Sequence, residues 1–344
     1  MSENKIIAFD GLRILAAFAV VVLHTVAPFF MDSFPSSDWN VANVYESLVR
    51  WSVPVFFMIS GALFLNKGKE LNIGRLYKKN IFRIFLIYLF WSIIYALPLL
   101  NDGLNPSYIL FRIIDGPYHF WFLKVLIGLY VAIPLFRAIT SERKTEEYFL
   151  LLAMLLGIVL PSALFVLELL DTRLMVALMD FCEGFDMTFV STYSFYFVLG
   201  HYLFEYPISV AKRRTLYIIG IVSPILLFGA NYYGSTLLGN LYQGFLNNSF
   251  VCTMFFAATI YVYVINCNSC MTRAGNVLSK MSKCTFGVYI VHVLVMTLLG
   301  EIGVTPSAYT LFWFIPLYAL IVFVISLLIT LILHRIPYVN RWLV

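Results

Sequence analysis

The chain has 344 residues, 61% of them hydrophobic and 12% charged, with a formal net charge of +5. A soluble globular domain carries about 25% charged residues. The shortage here runs the whole length, so it excludes a sizeable soluble domain and points to a polytopic membrane protein. Five scattered cysteines, Cys182, Cys252, Cys267, Cys270 and Cys284, form no disulfide framework.

A helical span needs about 20 mostly apolar residues. Ten segments qualify in chain order: 9–30, 44–65, 81–100, 119–139, 148–168, 187–205, 215–233, 246–265, 285–300 and 311–333. The sixth is diluted by Ser191, Thr192, Tyr193 and Ser194. Ten spans place both termini on one side. With that side cytoplasmic, the inner connections hold Lys67, Lys69, Arg75, Lys78, Lys79 and Arg83, then Arg137, Arg143 and Lys144. Lys212, Arg213, Arg214, Arg273, Lys280 and Lys283 follow, and the tail adds Arg335 and Arg341. The outer connections hold mainly carboxylates, among them Asp32, Asp38, Asp102, Asp115, Asp171, Asp180, Glu183, Asp186 and Glu301. This alternation obeys the positive-inside rule, and it assigns the cations to topology rather than to nucleic acid. The segments are apolar on every face, which excludes a barrel. The expected fold is an all-α bundle of about ten spans with both termini cytoplasmic. It would be one integral membrane domain over residues 1–344, without a soluble extension.

The first span carries Arg13 and His24. Ionisable groups inside a span are costly and mark functional sites. Eleven residues is about three turns of roughly 3.6 residues, so the two share a face, with the imidazole about 16 Å deeper at about 1.5 Å per residue. Asp10 lies on the same face and can pair with Arg13. Arginine suits phosphate or carboxylate, and histidine accepts and returns a proton near neutral pH. The plainer account, a snorkelling arginine and a histidine bonded to a neighbouring carbonyl, leaves the joint placement unexplained.

The second connection is the most basic, and most of its cations serve topology or anionic lipid. Arg83 opens the third span on the same membrane side as Arg13, so both could grip a polyanionic donor, with Lys79 and Arg75 beside them. Pro54, Ser60 and Gly61 in the second span read as packing residues. His119 and Lys124 open the fourth span, where an extracytoplasmic sugar could be held, although Tyr118 and Trp121 also read as an aromatic belt. His201 lies near an inner helix end and reads as structural. Tyr289 and His292 share a face in mid-span and add a second buried imidazole. The lone Cys267-Asn-Ser-Cys270 pair lacks partners for zinc.

These residues together resemble the acyltransferase 3 family of bacterial inner-membrane proteins. The resemblance rests on Phe9-Asp10-Gly11-Leu12-Arg13 with His24, on Val53-Pro54-Val55-Phe56-Phe57-Met58-Ile59-Ser60-Gly61, on His119-Phe120-Trp121-Phe122-Leu123, and on Tyr289-Ile290-Val291-His292. It covers essentially the whole chain. It implies transfer of an acyl group, usually acetyl from cytosolic acetyl-CoA as co-substrate, to a hydroxyl of an envelope glycan or lipid-linked sugar. It implies that His24 is essential and Arg13 assists it, with no permanently bound cofactor and no metal. Many relatives carry an Arg-x-x-Arg at the third helix; here Asn80 stands at the first position and Arg83 at the second. His24 is then a general base or a first acyl receiver. Arg83, Lys79, Arg75 and Asp10 are donor-side candidates, and His119, Lys124, Tyr289 and His292 serve acceptor binding or proton handling. A proton-coupled transporter of a small anion or lipid-linked sugar could use the same buried groups.

Overall fold

The computed structural model describes residues 3–68, 70–100, 105–185, 187, 189–267, 275–305 and 311–344, with side chains from Ile7 onward. Lys69, Asp102, Asp186, Cys270 and Arg273 lie outside the described residues. Apart from a single 3-10 turn at Gly244–Leu246, the described residues hold no strand and fifteen helices. They are α1 Glu3–Asp32, α2 Ser37–Val49, α3 Ser52–Phe64, α4 Ile73–Leu100, α5 Pro106–Asp115, α6 Tyr118–Val131 and α7 Ile133–Ile139. Then come α8 Arg143–Leu170, α9 Thr172–Glu183, α10 Thr192–Glu205, α11 Val210–Leu238 and α12 Val251–Asn266. The last are α13 Gly275–Glu301, α14 Leu311–Leu333 and α15 Pro337–Trp342.

Among the described residues eight helical stretches are long and apolar enough to cross a membrane, α2 with α3 counting as one (Ser37–Phe64) and α12 with the short turn before it as another (Gly244–Asn266), and α6 with α7 makes a ninth candidate bent by 58°. The protein is an all-α, multi-pass bundle. Two prolines explain its breaks. Pro54 has no N–H to return to the Arg50 carbonyl, and the second span divides into α2 and α3 at Arg50–Trp51. Pro134 likewise leaves the Tyr130 carbonyl without its helical donor, and the chain bends between α6 and α7.

The segment expected to span at 187–205 differs. Its helix, α10, has 14 residues, about 21 Å at about 1.5 Å each, against a hydrocarbon core of about 30 Å. Ser191 and Ser194 close a capping box that starts it late. A lipid-facing helix could not be so short, but α10 is enclosed by protein. Phe195, Tyr196, Phe197, Val198, Gly200 and His201 are all buried, and α10 packs chiefly along α3.

The centre of the bundle is α1, flanked by α2, α3, α13 and α14. Phe9, Leu12 and Ala16 belong to one apolar cluster with α3, α10 and α12, while Ala17, Val21 and Val26 belong to another with α2, α13 and α14. A helix buried on most of its circumference must be apolar all round. The polar groups α1 does carry therefore stand out as a short stripe.

Candidate active site

The stripe opens on a cavity of about 420 Å³ bounded by α1, α3, α4, α6 and α13. That volume lies within the range of about 300–1,000 Å³ usual for small-molecule sites. Arg13, His24, Lys79, Arg83, His119 and Tyr289, all singled out in the sequence, line it. Arg13 is oriented by Asp10, 3.3 Å away, whose carboxylate also accepts from Ser282 Oγ at 2.7 Å. Asp10 thus stands behind the cation and does not line the cavity.

Four cations, Arg13, Lys79, Arg83 and Lys283, line the cavity. Lys79 and Asn80 sit in a π-helical turn, Leu76–Ile81, that precedes Arg83. Such turns widen a helix by one residue and recur at functional sites. The Arg83 guanidinium donates through Nη2 to the Asn340 carbonyl at 3.4 Å and to the Val344 carbonyl, and its buried Nε has no partner among the described residues. Trp91 Nε1 holds the Leu343 carbonyl at 2.9 Å. The segment after α15 therefore forms one wall of the cavity.

Two further imidazoles gather around His24. Ring centroids lie 5.0 Å apart for His24 and His292, 6.0 Å for His24 and His119, and 5.3 Å for His119 and His292. His292 Nδ1–H donates to the Tyr289 carbonyl at 2.7 Å, which leaves Nε2 as an acceptor with no partner among the described residues. The His119 ring lies against the Ile290 backbone, and its own carbonyl accepts from Tyr289 Oη at 2.6 Å. Tyr118 Oη lies 3.3 Å from His24 Nδ1. Among the described residues no group of three His, Cys, Asp or Glu is placed to hold a metal ion. The cluster is arranged for exchanging protons and hydrogen bonds, with His24 reachable from the cavity.

Two candidates stand elsewhere. Arg75 is exposed and outside the cavity lining. Lys124 pairs with Asp115 at 3.3 Å on an exposed surface. Helical periodicity placed both near the right end of a span but could not say which way the neighbouring connection folds. His201 lies apart, buried against Glu146 Oε1 at 2.7 Å, in keeping with a structural role.

The cavity also recruits Ser60, Asn80, Trp121, Tyr130 and Lys283. Lys283 reads in the sequence as a topology cation and Tyr118 as an aromatic-belt residue. A further pair carried a signal that the sequence reading passed over. Glu46 and Arg50 are four apart inside the second apolar segment, and they form a salt bridge with Glu46 buried. The reasoning that singled out Arg13 applies to them equally. Removing one partner of a buried pair costs about 3–5 kcal/mol, whereas replacing both with apolar groups can be neutral. We therefore expect Glu46→Leu to lower the melting temperature of the purified protein sharply and Glu46→Leu with Arg50→Met to restore most of it. A double variant no more stable than the single would reject this account of the pair.

The comparison with known families agrees with the geometry. No curated relative and no solved structure matches the chain. A family model described as an acyltransferase domain matches residues 6–335, a stretch that begins at the foot of α1 and includes every helix that lines the cavity. By that match the chain belongs to the acyltransferase 3 family and is a membrane acyltransferase.

Proposed function

We propose that the protein is an O-acyltransferase of the bacterial inner membrane. It would move an acyl group, acetyl in our reading, from cytosolic acyl-CoA to a hydroxyl of an envelope polysaccharide or lipid-linked sugar. The observation that carries this is one cavity with four cations in its wall and His24 on the same lining. The positive-inside rule puts the basic end of the bundle in the cytoplasm, the compartment that supplies acyl-CoA. Asn43-Val44, Arg335-Ile336 and Asn340-Arg341 resemble segments of the enterobacterial common antigen O-acetyltransferase, which supports a polysaccharide acceptor.

In this mechanism Arg13, Arg83, Lys79 and Lys283 bind the donor phosphates, since arginine and lysine both suit them. His24 takes the proton of the acceptor hydroxyl as its oxygen attacks the thioester carbonyl. The carbon–sulfur bond breaks, the ester forms, and the proton passes to the departing thiolate, giving CoA with a free thiol. His119, His292 through the Nε2 that has no partner among the described residues, and Tyr289 share the handling of that proton and the hydrogen bonding of the acceptor.

The test supplies [¹⁴C]acetyl-CoA to inverted membrane vesicles and follows label in envelope glycan. Incorporation is expected, and Arg13→Ala should raise the KM for acetyl-CoA by about tenfold, the loss of one charge-assisted contact of about 1.5 kcal/mol. Uptake of a sugar or anion without any acyl donor, together with no incorporation, would replace this reading with the proton-coupled transporter.

A further inference from the structure

A second, smaller cavity of about 170 Å³ lies on the far side of the imidazole cluster. Ser92 and Tyr95 on α4, Arg112 at the end of α5, Gly116 and Tyr118 in the α5–α6 connection, and Thr297 on α13 line it. Lys79 and Arg83, in the first turns of α4, line the large cavity, whereas Ser92 and Tyr95 lie two to three turns further along that helix. On α13 the order is the same, with Lys283 in the large cavity and Thr297 in the small one. The two hollows thus approach the cluster from opposite ends of the bundle. They meet at Tyr118, which lines the small cavity while its hydroxyl lies 3.3 Å from Nδ1 of His24 in the wall of the large one.

The small cavity sets polar groups among apolar ones, Ala96, Leu99, Pro117 and Val293, and its lining is held in place. Tyr88 Oη lies within hydrogen-bond distance of the Ile114 and Asp115 carbonyls, at 2.7 and 2.6 Å, which ties down the α5–α6 connection. Gly116 adopts φ +74°, where side chains are strained, and a Cβ there would stand 2.7 Å from Tyr88 Oη and 3.0 Å from Ser92 Oγ. Ser92 Oγ is buried and has no hydrogen-bond partner among the described residues, so a hydroxyl on the wall of the hollow is available to bond an occupant. Arg112 forms no ion pair among the described residues, and the nearest acid in sequence, Asp115, is taken by Lys124 at 3.3 Å. The room equals that of about six waters at about 30 Å³ each, which suits a single sugar ring and is too small for a coenzyme thioester.

We propose that this second cavity is the acceptor site, that it takes one sugar ring bearing an anionic group opposite Arg112, and that Tyr118 is the partition between acceptor and donor. The proposal rests on the acyltransferase reading above. The sugar hydroxyl reaches His24 by taking the place of the Tyr118 hydroxyl at Nδ1. The bonds made and broken are those already given. Arg112 binds the anion because a guanidinium matches carboxylate and phosphate in two-point fashion. Ser92 and Thr297 hold ring hydroxyls.

The experiment uses the full-length protein in detergent with acetyl-CoA, reads free thiol release, and offers three acceptors: methyl glucuronide, glucose 1-phosphate and methyl glucoside. One or both anionic sugars are expected to accelerate release well above the neutral one. Preference for the glucuronide would mark a carboxylate-bearing polymer sugar, and preference for the sugar phosphate a lipid-linked one. Arg112→Gln should raise the KM for the anionic acceptor by about tenfold while the KM for acetyl-CoA stays unchanged. Thr297→Trp, which fills the hollow, should remove acceptor-dependent release while the protein is still stabilised thermally by CoA. Tyr118→Ala should raise acceptor-independent thioester hydrolysis. Equal use of the three sugars, an unchanged acceptor KM in Arg112→Gln, or full acceptor-dependent release in Thr297→Trp would overturn the proposal. So would a His24-dependent hydrolysis of acetyl-CoA that no sugar accelerates, although the acyltransferase reading would then stand. Failure of the wild-type protein to bind or cleave acetyl-CoA would instead remove that reading.

Discussion

His24→Ala is expected to lower acyl transfer by about 10²- to 10⁴-fold, the usual contribution of a positioned general base, with the protein still inserted and monodisperse. The physical ground is the location of the imidazole. It lies on the cavity wall, beside Tyr118 Oη and within 5.0 Å, ring to ring, of His292, so its truncation enlarges an existing hollow and leaves the apolar seams of α1 intact. Ala16 and Val21, which belong to those seams, are untouched. The loss should therefore appear in kcat and not in the melting temperature. Incubation with acetyl-CoA followed by acid quench and intact mass measurement separates the two roles open to His24. An acetyl adduct absent from His24→Ala identifies a covalent carrier; no adduct in the wild type leaves the base. Near-wild-type turnover in His24→Ala, measured as thiol release with acceptor present, would remove His24 from the chemistry.

Gly200→Val is expected to prevent assembly of the bundle. A Cβ on Gly200 would stand 2.0 Å from the Met58 carbonyl oxygen and 2.3 Å from Met58 Cα, and one on Gly61 would stand 1.6 Å from the Phe197 carbonyl oxygen. Both obstructions are backbone, so no rotamer change relieves them, and α3 and α10 would have to separate. Overpacking a core costs about 1–3 kcal/mol when side chains can adjust, and a backbone collision exceeds that. In membrane helices small residues permit this approach because packing, not a hydrophobic drive between helices, holds them together. The measurement is recovery of a single monodisperse peak after detergent extraction, with a melting temperature where material survives. Gly128→Ala is the control, since nothing lies within 4 Å of a Cβ there. A Gly200→Val protein as stable as that control would refute the close contact between α3 and α10.

Much of this was legible in the sequence because hydrocarbon is an unforgiving solvent. Runs such as 9–30 and 311–333 must be helices, since lipid satisfies no backbone polar group. Arg13, His24, His119, Tyr289 and His292 could be singled out for the same reason, and the fold brings all five to one place. Lys124 and Arg75 carried the same charge type but belong to exposed surface, because connections obey local geometry that periodicity does not encode. The helix α10 misled in another way: its fourteen residues are too few for lipid but sufficient inside protein.

What the chain determined by itself is the class of object: a helical membrane bundle, connections in which cations and carboxylates are segregated, and a first helix whose polar groups need protein or water to face. What only the tertiary structure decided is which distant groups share a hollow. Tyr118 meets His24 across 94 positions, and the segment ending at Val344 closes on Arg83 across 261. Those pairings follow from how helices pack, through glycines that let backbones touch and prolines that bend spans, and packing depends on shape in three dimensions. Periodicity along one helix reports which face is polar; it carries no information about what stands opposite.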